Sequence, residues 1–191
     1  GILILKKNNG EWSFYKRLDG FYDSSRFMEF DNNYLWVCHP AKGFFKLGLS
    51  GNLENIKSFE FLKNFNSDDE LFYNYFFKLN DALIFYNPKG FYKYDDTDKA
   101  FYNSNAVTEI FKGISDLSFV KQLDNSLWFS TNNHIGLFDF ELGKSTLFKN
   151  KKIKTLGDFS KFKRLNEKYI LFNSEDQVFV FDENTIAQQQ R

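Results

Sequence analysis

Short apolar runs alternate with polar turns along the whole chain, and the runs have the lengths of β-strands. In the segment 125–140, NSLWFSTNNHIGLFDF, two apolar runs flank a polar turn. Strands this short, when Asn, Asp and Gly residues join them, are typical of β-hairpins. The pattern in and around this segment predicts four strands, at 117–123, 126–131, 135–140 and 145–149.

The same arrangement recurs in four units. Leu35, Leu83, Leu127 and Ile170 occupy equivalent positions at spacings of 48, 44 and 43 residues, and we call them the anchors. A polar pair precedes each anchor and a polar turn follows it. Four antiparallel strands in about 40–45 residues is the period of a β-propeller blade. Helical spacing is weak, and only 104–113 leaves a choice between one helical turn and a strand with a long loop.

An aspartate recurs twelve residues after three of the anchors, as Asp95, Asp139 and Asp182. A carboxylate at the end of a strand can accept backbone N–H groups of the following turn. We therefore predict that these residues cap the turn after the third strand. A position that repeats in this way is structural rather than catalytic.

The units together predict an all-β fold: a β-propeller segment of about four blades, each with four antiparallel strands. GILIL at the start aligns with GFYKY at 90–94, and the Asn-Asn-Gly at 8–10 predicts a hairpin turn. We expect a segment of a larger propeller, whose open sheet edges could be covered by a second copy in a homodimer. The predicted divisions are a partial blade at 1–20, blades at about 26–66, 72–113 and 117–150, and a partial blade at 160–185.

Charge and composition narrow the class of function. The 25 basic and 25 acidic side chains balance, which argues against contact with nucleic acid or an anionic membrane. No apolar run reaches the roughly 18 residues of a membrane span. A single cysteine, Cys38, makes neither an internal disulfide nor a cysteine-rich metal site. No nucleotide-binding motif occurs, so we expect no metal, no cofactor and no catalytic residue in this chain.

The core is predicted to be aromatic, because 26 phenylalanines and ten tyrosines accompany a single methionine. Trp36 and Trp128 directly follow two of the anchors. A blade packs on both faces, so an aromatic residue on an inner strand is buried whichever way it points. We therefore predict that both tryptophans fill the core between blades and do not stack on a ligand.

The units resemble a known repeat. NYLWVCHPAKGFF at 33–45 and NSLWFSTNNHIGLFDF at 125–140 are similar to the two-component regulator propeller repeat, whose core reads approximately N-x-LW-[IV]-G-T-xx-GL-xx-YD. The second and fourth units depart from it, with Leu83-Ile84 and Ile170-Leu171 in place of Leu-Trp. In that family the repeats build the extracytoplasmic sensor of hybrid histidine kinases or the N-terminal part of related DNA-binding regulators.

The resemblance implies a non-catalytic, ligand-sensing segment in the periplasm or another extracytoplasmic compartment. Any kinase activity would then lie elsewhere in the full-length protein, and other parts of that protein would be partners of this segment. A protein-interaction scaffold is the main alternative, and a propeller glycosidase or lyase is a third. The unknown ligand is expected to be a small molecule, and an oligosaccharide is the class to test first because sugar rings stack on aromatic loops.

Candidate contact residues lie in the loops of one propeller face, which join the second strand to the third and the fourth strand to the next blade. Loops carry function more often than strands do, although a polar turn residue is by default only solvated. The candidate ligand-binding residues are His39, Lys42, Asn87, Lys89, Asn132, His134, Asp68 and Asp69.

Overall fold

The computed structural model describes residues 1–25, 27–39, 41–63, 74–132, 134–148, 161–173 and 178–182. They form two compact units, and each is described by itself. In both units, strands that follow one another in the sequence are hydrogen-bonded neighbours in antiparallel sheets. The first unit is Gly1–Phe77 with Ala82–Asn103, and the second is Lys78–Asp81 with Ser104–Arg191.

The first unit contains sheet 1, sheet 2 and most of sheet 3. Sheet 1 has two strands, whereas sheets 2 and 3 each have four in sequential order. Sheet 1 consists of β1 (Leu3–Asn8) and β2 (Glu11–Arg17); sheet 2 of β3 (Phe27–Asp31), β4 (Tyr34–His39), β5 (Gly43–Leu49) and β6 (Ile56–Lys63); and sheet 3 of β7 (Tyr75–Leu79), β8 (Ala82–Asn87), β9 (Gly90–Asp95) and β10 (Ala100–Asn103).

The second unit contains one short helix, sheet 4 and sheet 5. Four strands form sheet 4, and three described strands form sheet 5. The elements are α1 (Asn105–Ile110); β11 (Leu117–Leu123), β12 (Ser126–Thr131), β13 (Ile135–Asp139) and β14 (Lys144–Phe148) in sheet 4; and β15 (Lys161–Arg164), β16 (Tyr169–Asn173) and β17 (Val178–Asp182) in sheet 5.

The predicted fold class is confirmed: the sheets are antiparallel, up-and-down propeller blades. Each anchor is the second residue of the second strand of its blade, in β4, β8, β12 and β16. All four anchors are buried. The four strands predicted for the third unit are observed within one residue at each end.

The polar pair before three of the anchors is explained by backbone geometry, whereas Asn166, before the fourth anchor, accepts the backbone N–H groups of Lys168 and Tyr169 at 2.9 Å. Asn32, Asn80 and Asp124 have positive φ angles of 52°, 48° and 49°, which Asn and Asp tolerate better than other non-glycine residues. The hairpin between β1 and β2 uses the same conformation at Asn9 (φ 51°), followed by Gly10 (φ 89°). Two consecutive residues with positive φ angles fit the two-residue hairpin turn whose twist matches that of the flanking strands.

The predicted aspartate caps are present in two of the three units. Asp95 Oδ1 accepts the backbone N–H groups of Thr97 (2.7 Å) and Asp98 (3.1 Å). Asp139 Oδ1 accepts those of the second and third residues after it, at 2.8 and 3.0 Å. The turn after Asp182 lies outside the described residues, and Asp182 itself pairs with Lys168 at 3.1 Å.

The stretch 104–113 contains a helix, not a strand. Its first turn begins where the Ser104 carbonyl accepts the N–H groups of Val107 and Thr108. Val107 and Phe111 are buried on one side, and the Phe111 ring packs edge-on against Phe129 at 5.4 Å. Among the described residues, no helix has the length and apolar character needed to cross a membrane.

The predicted burial of two tryptophans between blades is confirmed. In the first unit, Trp36 is buried between sheets 2 and 3, with its ring centroid 4.9 Å from that of Phe85. In the second unit, Trp128 is buried between sheets 4 and 5. Its ring lies 5.6 Å from Phe162 and 5.4 Å from Phe181.

Candidate functional site

The turn between β4 and β5 is held by His39. The Nδ1 atom of His39 accepts the backbone N–H groups of Ala41 (3.2 Å) and Lys42 (3.1 Å). The neutral imidazole therefore carries its proton on Nε2. His39 is thus a capping residue of the turn, and Nε2 is the atom that it can offer to a ligand.

Lys42 connects this turn to the loop between β2 and β3. Its ammonium group pairs with the Asp23 carboxylate, and both side chains are solvent-accessible. A pair this exposed contributes at most about 1 kcal/mol to folding. The ion pair nevertheless shows that the two loops meet at one end of sheet 2. The propeller pattern predicted that the ligand-contacting face lies at this end.

An exposed tyrosine, Tyr22, directly precedes Asp23 in the loop between β2 and β3. The side chain of Tyr22 is 65% exposed, and the Arg17 guanidinium lies 5.2 Å from its ring centroid. We call Arg17, Tyr22, Asp23, His39 and Lys42 the turn site. An aromatic ring surrounded by charged hydrogen-bonding groups can stack on an apolar surface and bind hydroxyl groups around it.

The turn between β8 and β9 is built differently. Asn87 is buried, and its Oδ1 accepts the Lys89 N–H at 2.8 Å. This hydrogen bond is an Asx turn, which explains an asparagine at this position without a ligand. Of the two candidates in this turn, Lys89 is exposed and Asn87 is not.

In the second unit, the turn after β12 contains two further candidates. The hydroxyl of Thr131 accepts the His134 N–H at 3.0 Å. His134 is half-buried, while Asn132 is exposed. The remaining candidates, Asp68 and Asp69, lie outside the described residues.

Sequence reasoning missed a buried lysine. Lys46 lies at the centre of β5, in the run GFFKLGL, and is only 5% exposed. Its ammonium lies 3.9 Å from the ring centroid of Tyr34 and 5.4 Å from those of Trp36 and Tyr94. It also pairs with the Asp96 carboxylate. We call these five residues the lysine cage.

The lysine cage is extended by one more hydrogen bond, from the Tyr94 hydroxyl to the Glu60 carboxylate at 3.3 Å. Burial, and secondly the negative charge of Glu60, raise the pKa of Tyr94 to about 12. The cation is thus surrounded by π-faces and carboxylates, which satisfy its charge in place of water. A lysine within an otherwise apolar strand is the sequence signal that could have revealed it.

An apolar cavity lies between sheets 1 and 2. Its volume is about 420 Å³, and we call it the β1 groove. Apart from one glutamate, its lining is apolar, so it does not suit a sugar. The lining residues are Ile2, Leu3, Ile4, Leu5, Leu18, Met28, Glu29, Phe30, Leu35, Leu49 and Leu53.

The remaining chemistry of the described residues is limited. Burial raises the pKa of the Cys38 thiol, which donates a hydrogen bond to the Asn74 carbonyl at 3.1 Å. A thiol in this environment is a poor nucleophile. Across the described ranges, no group of three or more His, Cys, Asp or Glu side chains is placed to hold a metal ion.

Comparisons with known proteins give a backbone likeness only. No protein-family model matches the chain, and no curated protein matches it. Among solved structures, it is similar to the extracellular domain of BT4673 from B. thetaiotaomicron, described as a putative one component system. The TM-score is 0.53 at 12% identity, covering 95% of this chain and 28% of that one.

A second structure of the BT4673 extracellular domain describes it as a putative hybrid two component system. The TM-score is 0.52 at 13% identity, with 96% of this chain and 27% of that chain covered. PorZ of Porphyromonas gingivalis, described as a bacterial surface component of the type-IX secretion system, matches over 82% of this chain and 20% of its own at 13% identity and a TM-score of 0.43. The chain thus spans about a quarter of the BT4673 domains that it matches.

Proposed function

We propose that this chain is a sensing segment of an extracytoplasmic signalling protein, which binds a ligand without transforming it. The observation that supports this most is the backbone likeness, over 95% of the chain, to the extracellular domain of BT4673. That domain is described as part of a putative hybrid two component system. The Leu-Trp segments, which resemble the two-component regulator propeller repeat, also support this proposal.

The turn site is the proposed contact point, and an oligosaccharide is the proposed ligand. The exposed ring of Tyr22 offers a flat apolar surface to a sugar ring. Asp23 follows Tyr22 in the same loop, and Asp23 and Lys42 can bind sugar hydroxyls in place of their exposed mutual ion pair. His39 Nε2 adds a hydrogen-bond donor from the neighbouring turn. Output, including any kinase activity, would lie elsewhere in the full-length protein.

A thermal-shift screen against neutral and charged oligosaccharides tests this proposal. A ligand at one hundred times its dissociation constant stabilises the folded state by about 2.7 kcal/mol, which is readily measured. We expect the shift to be lost in Tyr22→Ala and reduced in Lys42→Met. Tyr102→Ala is the matched control, because Tyr102 is also an exposed tyrosine but belongs to sheet 3. A shift that survives Tyr22→Ala would contradict the turn site.

A protein-interaction scaffold is the second candidate, and one surface favours it. Sheet 1 exposes four large apolar side chains, Leu3, Leu5, Trp12 and Phe14. Exposed apolar patches of this kind often mark protein interfaces. If no oligosaccharide shifts the unfolding temperature, and an identified protein partner binds the native chain but not Trp12→Glu, the scaffold is the better assignment.

A further inference from the structure

We propose that protonation of His39 opens the turn between β4 and β5, so that this turn is ordered at neutral pH and loosened in weak acid. The change in the turn follows from its own hydrogen bonds. Its consequence for a bound oligosaccharide rests, in addition, on the function proposed above: the turn site is assembled at neutral pH and weakened in acid.

The first argument is a capping position that recurs in three of the described sheets. His39, Asn87 and Thr131 each lie four residues after an anchor and end the second strand of their sheet. In each case the side chain accepts a backbone N–H group of the turn that follows. The Asn87 amide oxygen accepts that of Lys89 at 2.8 Å, and the Thr131 hydroxyl accepts that of His134 at 3.0 Å.

His39 caps its turn with a single nitrogen atom. Nδ1 accepts the backbone N–H groups of Ala41 at 3.2 Å and Lys42 at 3.1 Å. A neutral imidazole has one nitrogen that can accept a hydrogen bond, whereas both nitrogens of the protonated ring are donors. Protonation therefore removes both hydrogen bonds of the cap and leaves Nδ1–H facing two other N–H groups. The turn has to rearrange, because donors cannot pair with one another.

Of the three described caps, only that of His39 can change in this way. Histidine ordinarily changes its charge between about pH 5 and 8, whereas an amide or hydroxyl oxygen remains an acceptor. His134, the second histidine of the chain, joins its turn through its backbone. Its N–H group donates to the Thr131 hydroxyl, and its carbonyl accepts the Thr131 N–H. Among these three turns, the pH response is therefore confined to the one between β4 and β5.

Opening of this turn reaches the rest of the turn site through Lys42. The backbone N–H of Lys42 is one of the two groups that His39 holds, and its ammonium pairs with Asp23 in the loop between β2 and β3. A rearranged turn moves the ammonium relative to the Asp23 carboxylate. An exposed ion pair contributes too little to keep the turn closed once the cap is lost.

The elements around the imidazole carry other charged and titratable groups, and a variant must separate their effects from that of His39. These groups are Lys42 in the turn itself, Tyr22 and Asp23 in the loop between β2 and β3, Arg17 at the end of β2, and Lys63 at the end of β6. All of them remain in His39→Asn. Asparagine already caps the equivalent turn of sheet 3, so this variant keeps an acceptor and loses only the titration.

Nuclear magnetic resonance and amide hydrogen exchange of the native chain test the switch without any ligand. At about pH 8 we expect the His39 ring to carry its proton on Nε2, and the amides of Ala41 and Lys42 to be protected. At about pH 5 both ring nitrogens should carry protons. After correction for the intrinsic pH dependence of exchange, protection of the two amides should then fall roughly tenfold or more, as expected for the loss of two hydrogen bonds.

Variants at the two histidines identify the cause. His39→Asn should protect both amides at both pH values, whereas His39→Ala should protect them at neither. His134→Asn is the matched control, because it removes the other histidine and should leave the pH response of Ala41 and Lys42 unchanged. The proposal is wrong if these amides stay protected while the His39 ring is doubly protonated, or if His39→Asn loses their protection in acid as the native chain does.

The consequence for the ligand is measured separately. An oligosaccharide that raises the unfolding temperature at the higher pH should raise it less at the lower pH in the native chain, and equally at both in His39→Asn. If the amides respond to pH but no oligosaccharide binds, the switch is supported and the proposed ligand is wrong. If the amides respond and an oligosaccharide binds the native chain equally well at both pH values, the turn does not control the site.

Discussion

Lys46 and Asp96 form an ion pair in which the cation is buried and the anion is not. The ammonium is enclosed by Tyr34, Trp36 and Tyr94, while the Asp96 side chain is largely exposed. Burying a charge costs free energy unless partners replace its water. The aromatic rings and the carboxylate together replace that water, and they join β4 and β5 of sheet 2 to β9 of sheet 3.

The first prediction concerns the separate contributions of Lys46 and Asp96 to the free energy of unfolding. Asp96→Ala should lower the free energy of unfolding by about 1–3 kcal/mol, because it leaves the ammonium buried without its carboxylate. Lys46→Met should cost less, since an apolar side chain of similar length can pack against the same rings. In the double variant, most of the loss caused by Asp96→Ala should disappear. Chemical denaturation of the four proteins measures this, and equal, additive losses would show that the pair does not couple.

The second prediction uses all three tryptophans of the chain. Trp128→Ala and Trp36→Ala should each cost roughly 3–5 kcal/mol, the range for removing a large buried aromatic side chain. Trp12 is 66% exposed, so Trp12→Ala should change stability by no more than about 0.5 kcal/mol. Urea or thermal unfolding gives the three values. If a buried-tryptophan variant kept full stability and lost ligand binding, its ring would be a stacking platform.

The third prediction concerns alkaline pH. Burial and Glu60 raise the pKa of Tyr94 to about 12, above the ordinary value of about 10 for an unfolded tyrosine. Between these values the folded protein binds more protons than the unfolded chain, so stability falls as pH rises. We expect Tyr94→Phe to lose less stability than the native protein between pH 10 and 12. An unchanged pH profile in Tyr94→Phe would refute the assignment.

Much of the fold could be predicted because it follows from local rules. The anchors repeat at blade spacing, and the polar pairs around Asn32 and Asp124 supply the positive φ angles that tight turns need. The aspartate caps at Asp95 and Asp139 bind backbone groups only two and three residues away. Such features depend on neighbours in the sequence, so a single sequence reveals them.

The candidate site could be predicted only in part, because it depends on residues far apart in the chain. The turn site needs Asp23 to meet Lys42, 19 residues away, and nothing local signals that contact. The otherwise apolar strand around Lys46 is a local signal of its burial, but its partner Asp96 lies 50 residues away, and only the fold brings the two together. Asn87 is a different case: its polarity in the sequence is explained by its own turn, where its buried side chain accepts the Lys89 N–H.

The fourth prediction explains a glycine in the Asn125–Phe140 segment. Gly136 pairs across the ladder with Phe129, whose ring lies directly over it. A Cβ atom at position 136 would lie 2.1 Å from the Cζ atom of that ring. Phe129 is fully buried and packs against Phe111, so the ring has no free space to enter. Gly136→Ala should therefore cost about 1–3 kcal/mol through overpacking.

Gly51→Ala is the matched control, because a Cβ there would meet no atom within 4 Å, and its stability should stay near that of the native protein. Thermal unfolding measures the stability of the two variants. Measuring Gly136→Ala both in the native background and in Phe129→Leu then shows whether the Phe129 ring causes the loss of stability. If the smaller leucine side chain at position 129 does not reduce the cost of the alanine, the ring is not what requires a glycine at position 136.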